Sequence, residues 1–180
     1  MHAVDTIIGV GWLAFWVYWL AASARTKATR TRSGIGVRVL VVLVFVVAIQ
    51  SGAFRRRAAM HNHWLQAIGL VLFALGLALA IWARVYLGRN WGTPMSEKVD
   101  PELVTTGPYR FVRHPIYSGI IVATIGTAIA VSASWLVGVV VFGGYFVYSA
   151  TVEERNMERL FPETYPAYKR STKMLIPFIF

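Results

Sequence analysis

Cysteine is absent from the 180-residue chain, and acidic residues are scarce: 8 Asp and Glu stand against 18 Lys and Arg. Without cysteine there is no disulfide-stapled secreted fold, no thiolate zinc site and no cysteine nucleophile. Charge of either sign is thin, at 14% of residues, where a soluble domain carries about 25%. Half the usual solvating surface is therefore missing. Disorder is excluded as well, because 57% of the residues are hydrophobic. What remains fits a chain that meets the bilayer.

Five apolar segments are long enough to matter, since a helix crosses a hydrocarbon core of roughly 30 Å with about 20 mostly apolar residues. They are Thr6–Ala22, Val37–Phe54, Trp64–Tyr86, Ser118–Ser132 and Trp135–Thr151. The second is rich in Val, yet far longer than an ordinary strand. The last two are separated by Ser132-Ala133-Ser134 alone, which predicts a tight helical hairpin. The expected fold class is an all-α polytopic membrane protein with five transmembrane helices. Ala22-Ser23-Ala24 resembles a signal-peptide cleavage site. No Lys or Arg precedes the apolar run, however, so the first segment is expected to be retained.

The net charge of +10 resolves into an orientation. Loop one holds Arg25, Lys27, Arg30, Arg32 and Arg38, and loop two holds Arg55, Arg56 and Arg57. Loop three holds Arg84, Arg89, Lys98, Arg110 and Arg113, and the tail holds Arg155, Arg159, Lys169, Arg170 and Lys173. Loops one and three and the tail thus carry 15 of the 18 basic residues. The positive-inside rule places the N-terminus outside and the C-terminus in the cytoplasm, as expected of a bacterial cytoplasmic membrane protein. Because this charge flanks apolar segments rather than forming one face, nucleic acid is not an expected partner. The expected partners are the lipid bilayer and a lipophilic acceptor.

Two polar stretches are too particular to be connectors. The first runs from Arg84 to Tyr117 and carries Trp91, Tyr109, Phe111 and Tyr117; the second is the tail from Glu153. A connection this long is usually functional or disordered, and its aromatics argue against disorder. Residues 118–151 suffice for one crossing and a return at about 1.5 Å per residue. Tyr117 and Glu153 therefore emerge on the same face. Arg113 and His114 then meet Glu153 and Glu154 at one membrane surface, beside apolar helices, as a site for a polar cofactor and an apolar substrate requires.

Leu103-Val104-Thr105-Thr106-Gly107-Pro108-Tyr109, then Arg113-His114-Pro115-Ile116-Tyr117 with Gly119, then Glu153-Glu154 and Phe161, Tyr165, Tyr168 and Lys169 follow in order. Over roughly residues 84–178 this resembles the isoprenylcysteine carboxyl methyltransferases. More distantly it resembles the phospholipid N-methyltransferases and the C-terminal region of sterol reductases. The resemblance implies an S-adenosylmethionine pocket on the cytosolic side, under the loop and tail, releasing S-adenosylhomocysteine. It implies cofactor contacts from Glu102, Leu103, Val104, Tyr109, His114, Pro115, Ile116, Tyr117 and Glu153, with Arg113 and Glu154 nearest the chemistry. Residues 64–180 would form the methyltransferase core and residues 1–63 an N-terminal two-helix region. The chemistry is compatible: a carboxylate holds an ammonium, Arg113 or His114 holds a carboxylate, and aromatic faces favour a sulfonium. In-line methyl transfer asks for positioning more than acid–base help. One position departs from the family, which has an arginine four residues before the cofactor glutamate; here it is Ser149, and no Lys or Arg lies between Arg113 and Arg155. The acceptor is therefore open: a lipophilic thiol, amine, phenol or acid.

Other features have plainer readings. His61 and His63 have metal-like spacing without a third ligand nearby, so no metal is expected. Trp12, Trp16 and Trp19 read as lipid or helix contacts, and Gly69, Gly76, Gly143 and Gly144 as close-packing positions. Phe178 and Phe180 read as an interfacial aromatic belt. A nicotinamide-dependent reductase and a non-enzymatic membrane protein are the alternatives from other classes.

Overall fold

The computed structural model describes residues 2–24, 26–32 and 62–179, with isolated positions between 36 and 43. Four long helices dominate: α1 (His2–Ser23), α2 (His63–Leu87), α3 (Pro115–Ala130) and α4 (Leu136–Leu160). A short α5 (Tyr165–Ser171) follows in the tail. The local causes are legible. The Asn62 side chain caps α2 by accepting from the backbone N–H groups of Trp64 (2.9 Å) and Leu65 (3.4 Å). Gly88, at φ +53°, ends it. Pro115 opens α3, where its fixed φ and missing N–H cost nothing.

Among the described residues, three stretches are long and apolar enough to cross a membrane: Ala3–Ser23, His63–Asn90 and Ala133–Leu160. Pro115–Ala130 is a shorter apolar helix. Large apolar side chains point outward along the long helices, among them Leu13, Leu20, Leu75 and Val140. In water such a surface would associate; in a bilayer it is solvated. The expected segment Val37–Phe54 lies largely outside the described residues.

The tightest packing joins α2 to α3 through four glycines. A methyl group on Gly76 would fall 2.4 Å from Ala123 N and 2.6 Å from Gly119 O, and one on Gly126 would fall 2.4 Å from Phe73 N. Gly69 and Gly119 are equally closed, against the backbone of Ala130 and of Ala80. Backbones this close are the membrane solution to helix association, where no hydrophobic effect draws helices together. Gly69 and Gly76 thus do what the sequence suggested. Gly143 and Gly144 do not, because an added methyl on either meets open space.

Three expectations need correction. The chain is mostly helical rather than all-α: β1 (Thr29–Arg32) pairs antiparallel with β2 (Ser96–Lys98). Two polar segments whose backbone groups lack helical partners satisfy them on each other. Pro115, Ile116 and Tyr117 belong to the first turn of α3 rather than to the preceding loop. Finally α4 does not stop at Thr151 but continues to Leu160, so Glu153 and Glu154 sit on a continuous helix.

Loop one, loop three and the tail meet at one end of the bundle. Lys27 N donates to Arg89 O and Val99 N to Ala28 O. Arg113 N and His114 N donate to the carbonyls of Lys173 and Met174. Arg84, buried on α2, donates from its two terminal nitrogens to Ala22 O and Gly88 O (2.8 Å each) and lies over the Trp91 ring. The ends of α1 and α2 are thereby tied beneath the loop.

Candidate functional site

A cavity of about 670 Å³ opens at the end where the loops converge, within the usual range for small-molecule sites of roughly 300–1,000 Å³. Glu102, Leu103, Val104, Tyr109, Arg113, His114, Ile116, Tyr117 and Glu153 all line it. Pro115, fully buried, and Glu154 do not. Residues 50 positions apart in the chain are thus gathered around one space, as the hairpin required.

Glu153 is held on the wall by two donors. Its Oε1 accepts from Tyr117 Oη (2.5 Å) and from the backbone N–H of Met95 (2.8 Å). Its Oε2 lies 3.5 Å from His114 Nδ1. Met95 adopts a left-handed φ of 61° to deliver that N–H, a conformation that costs a non-glycine residue energy and so marks a position fixed by its surroundings. The ring of His114 stacks on Tyr117, Tyr117 stacks on Phe146, and Phe146 meets Phe142. This aromatic ladder leads from the carboxylate down into the apolar part of the bundle. Phe142, Tyr145 and Phe146 of α4 wall the cavity together with Trp16, Trp19 and Leu20 of α1. Trp16 and Trp19 therefore belong to the cavity, beyond the plain contact role their sequence suggested; no motif marked them.

His114 stands between two carboxylates, with Nε2 3.5 Å from Glu154 Oε1. Burial alone would push its pKa down, but the contacts with Glu153 and Glu154 outweigh it and raise the pKa above 6.5. The folded state thus binds a proton more tightly than the unfolded chain. Its stabilising contribution is complete below pH 6.5 and is lost as pH rises through the elevated folded value. Thermal unfolding of the wild type in detergent is expected to fall across that window, and His114→Gln is expected to flatten the dependence.

Elsewhere on the rim, Glu102 accepts from Lys27 Nζ (2.7 Å) and from Asn90 Nδ2 (3.4 Å). These partners, Lys27 first, hold the Glu102 carboxyl below its usual range although the side chain is open to water. Tyr109 is deeply buried, which drives its phenol pKa up. Tyr168 donates to Tyr109 O (2.6 Å), and burial pushes its own pKa up to about 12. Losing that buried donor in Tyr168→Phe is expected to cost about 1 kcal/mol, read by thermal unfolding.

Arg113 and Glu154 face each other. Arg113 Nε donates to Glu154 Oε1 (2.7 Å), and Glu154 Oε2 receives Lys169 Nζ (2.9 Å). Arg113 Nη1 donates to the carbonyls of Lys169 (3.0 Å) and Thr172. Both side chains are almost wholly buried. Ser149 is fully buried and donates to Tyr145 O (2.8 Å).

Comparison with known proteins agrees with the geometry. A family model described as phospholipid methyltransferase matches residues 64–164, more than half of the chain. The chain belongs to this family of membrane methyltransferases. Protein-S-isoprenylcysteine O-methyltransferase B of Arabidopsis thaliana is 28% identical over 120 residues, covering 64% of this chain and 61% of its own. The Xenopus laevis protein-S-isoprenylcysteine O-methyltransferase is 34% identical, covering 64% of this chain and 42% of its own. Methanethiol S-methyltransferase 1 of Bradyrhizobium diazoefficiens is 39% identical over 82 residues, 46% of this chain and 28% of its own. The chain thus spans less than two thirds of each of these relatives. A solved structure of a eukaryotic intramembrane Ras methyltransferase (isoprenylcysteine carboxyl methyltransferase) aligns with a TM-score of 0.62 at 25% identity, covering 83% of this chain and 55% of that one. The expected family resemblance is thereby shown.

The cavity also meets the chemical demands of S-adenosylmethionine. An anchored carboxylate suits an ammonium, and an aromatic wall suits a sulfonium. Besides Arg84 Nε, two buried polar atoms, His114 Nε2 and Asn90 Oδ1, have no hydrogen-bond partner. Buried polar groups are seldom left so, and both residues line the cavity. Among the described residues no cluster of metal-ligating side chains occurs.

Proposed function

We propose that the protein transfers a methyl group from S-adenosylmethionine to a lipophilic acceptor at the membrane. The observation that carries this reading is Glu153, held by Tyr117 and Met95 on the wall of the converging cavity. Its carboxylate would hold the cofactor's ammonium, Asn90 would accept from an amino group, and the backbone of Glu102–Val104 would flank the remainder. The cofactor brings the activated methyl; the protein's part is to align donor and acceptor and exclude water. Arg113 and Glu154 act as positioning residues in this reading, because each is spent on the other. The acceptor would lie between Phe146 and Trp19, where the walls are apolar. The basic loops would face the cytoplasm and the N-terminus the outside, with residues 64–180 as the functional core.

Relatives are named for a protein S-isoprenylcysteine and for methanethiol, so acceptors of both kinds are to be compared. Labelled methyl transfer to a panel of lipophilic thiols, amines, carboxylates and phenols is the test. Turnover of at least one class, lost in Glu153→Gln, is expected; no transfer to any, by folded protein, would overturn the reading.

A further inference from the structure

The C-terminal tail lies across the loop that opens α3, and one buried side chain stands at the centre of that junction. Arg113 reaches three pieces of chain at once: Glu154 on α4, the carbonyl of Lys169 at the end of α5, and the carbonyl of Thr172 beyond it. The backbone continues the seam, with Arg113 N on Lys173 O (2.8 Å) and His114 N on Met174 O (3.1 Å), and the Ser118 hydroxyl donates to Leu175 O (2.6 Å). Tyr168 adds its bond to Tyr109 O. The same segment supplies Tyr165 and Tyr168 to the cavity wall.

We propose that the Arg113–Glu154 pair is a latch that keeps the tail as a permanent wall of the cavity, docked whether or not a ligand is bound. The role of that wall in holding a methyl donor rests on the function proposed above; the latch itself does not. Three features support a standing structure rather than a lid. The pair is buried, so water screens it and competes for its hydrogen bonds far less than at an open surface. Opening would take the carbonyls of Lys169 and Thr172 from Arg113 and the Lys169 ammonium from Glu154, leaving buried charged groups short of partners, which is expensive. Lids, by contrast, are drawn from segments with few buried contacts, whereas here Tyr165 and Leu175 are buried. The guanidinium is also the right group for the task. Its planar fork can serve a carboxylate and the tail carbonyls together, which a lysine ammonium cannot do in the same geometry. The charged groups around the latch are Glu153 and Glu154 on α4, Lys169 on α5, Glu158 beside Lys169, and His114 next in sequence.

The absence of native cysteine makes the test direct. Leu175→Cys places one thiol under the docked tail, and its rate of maleimide labelling reports undocking. In otherwise wild-type protein, slow labelling is expected without ligand, unchanged within about twofold by S-adenosylmethionine. Fast labelling that the cofactor suppresses would overturn the proposal, whatever the methyl-transfer assay shows. In the background of Arg113→Gln with Glu154→Gln, which removes both charges together, labelling is expected to accelerate at least tenfold. The charge-swapped pair Arg113→Glu with Glu154→Arg restores the ion pair but gives the tail carbonyls no donor at position 113. It is expected to label fast too, and slow labelling there would overturn the latch in favour of a simple ion pair. Unchanged helical content by circular dichroism separates undocking from unfolding, and the ligand-free wild-type measurement decides the question even if the variants fail to fold.

Discussion

Glu153→Gln is expected to weaken S-adenosylmethionine binding by about ten- to a hundredfold, measured by calorimetry in detergent. The substitution keeps the shape of the side chain and its hydrogen-bond acceptor toward Tyr117 and Met95 N. What it removes is the negative charge. A charge-assisted hydrogen bond to an ammonium contributes about 1.5–3 kcal/mol, which at 1.4 kcal/mol per decade gives that range. Circular dichroism should be unchanged, because the side chain is partly open to the cavity and Tyr117 and Met95 keep their acceptor. Wild-type affinity in this variant would remove Glu153 from the cofactor's contacts and leave His114 and Asn90 as the polar determinants to be tested next.

Gly76→Leu is expected to prevent folding of the core. The Cβ alone meets the backbone of Ala123 and Gly119 at 2.4 and 2.6 Å, and backbone cannot step aside as a rotamer can. The α2–α3 pair would have to separate, losing contact along a seam that includes Ala80 and Ala123, both fully buried. Overpacking in a closed core costs about 1–3 kcal/mol for small additions and more when helices must move; with four side-chain carbons the expected result is aggregation during purification. Gly143→Ala is the matched control. Its added methyl meets nothing, and alanine favours a helix by up to about 1 kcal/mol, so stability should be equal or higher. A monodisperse, wild-type-like Gly76→Leu protein would refute the close seam.

The helices were readable because membrane segments announce themselves by length and by want of charge. Trp64–Tyr86 was placed within a residue of α2 at each end. The meeting of Tyr117 with Glu153 followed from counting residues across the hairpin, and the two side chains are hydrogen-bonded. Other features were illegible for physical reasons. Hydropathy cannot tell where a helix leaves the membrane, so the polar end of α4 beyond Thr151 reads in sequence as a tail. Gly119 and Gly126 lie seven residues apart and face Gly76 and Gly69, but a pairing between helices has no sign within either one. Trp16 and Trp19 enter the cavity only because Arg84 ties α1 to α2 and Trp91 packs edge-on against Trp19, contacts that span more than 60 residues. Sequence offers Arg113 as a holder of a carboxylate near the chemistry; its burial and its bonds to Glu154, Lys169 O and Thr172 O are contacts that no motif spells out.

The most direct measurement is a titration of S-adenosylmethionine into purified protein in lipid nanodiscs. Saturable binding at one site per chain, competed by S-adenosylhomocysteine and weakened in Glu153→Gln, is the expected result. Folded protein that binds neither compound would contradict the account at its centre.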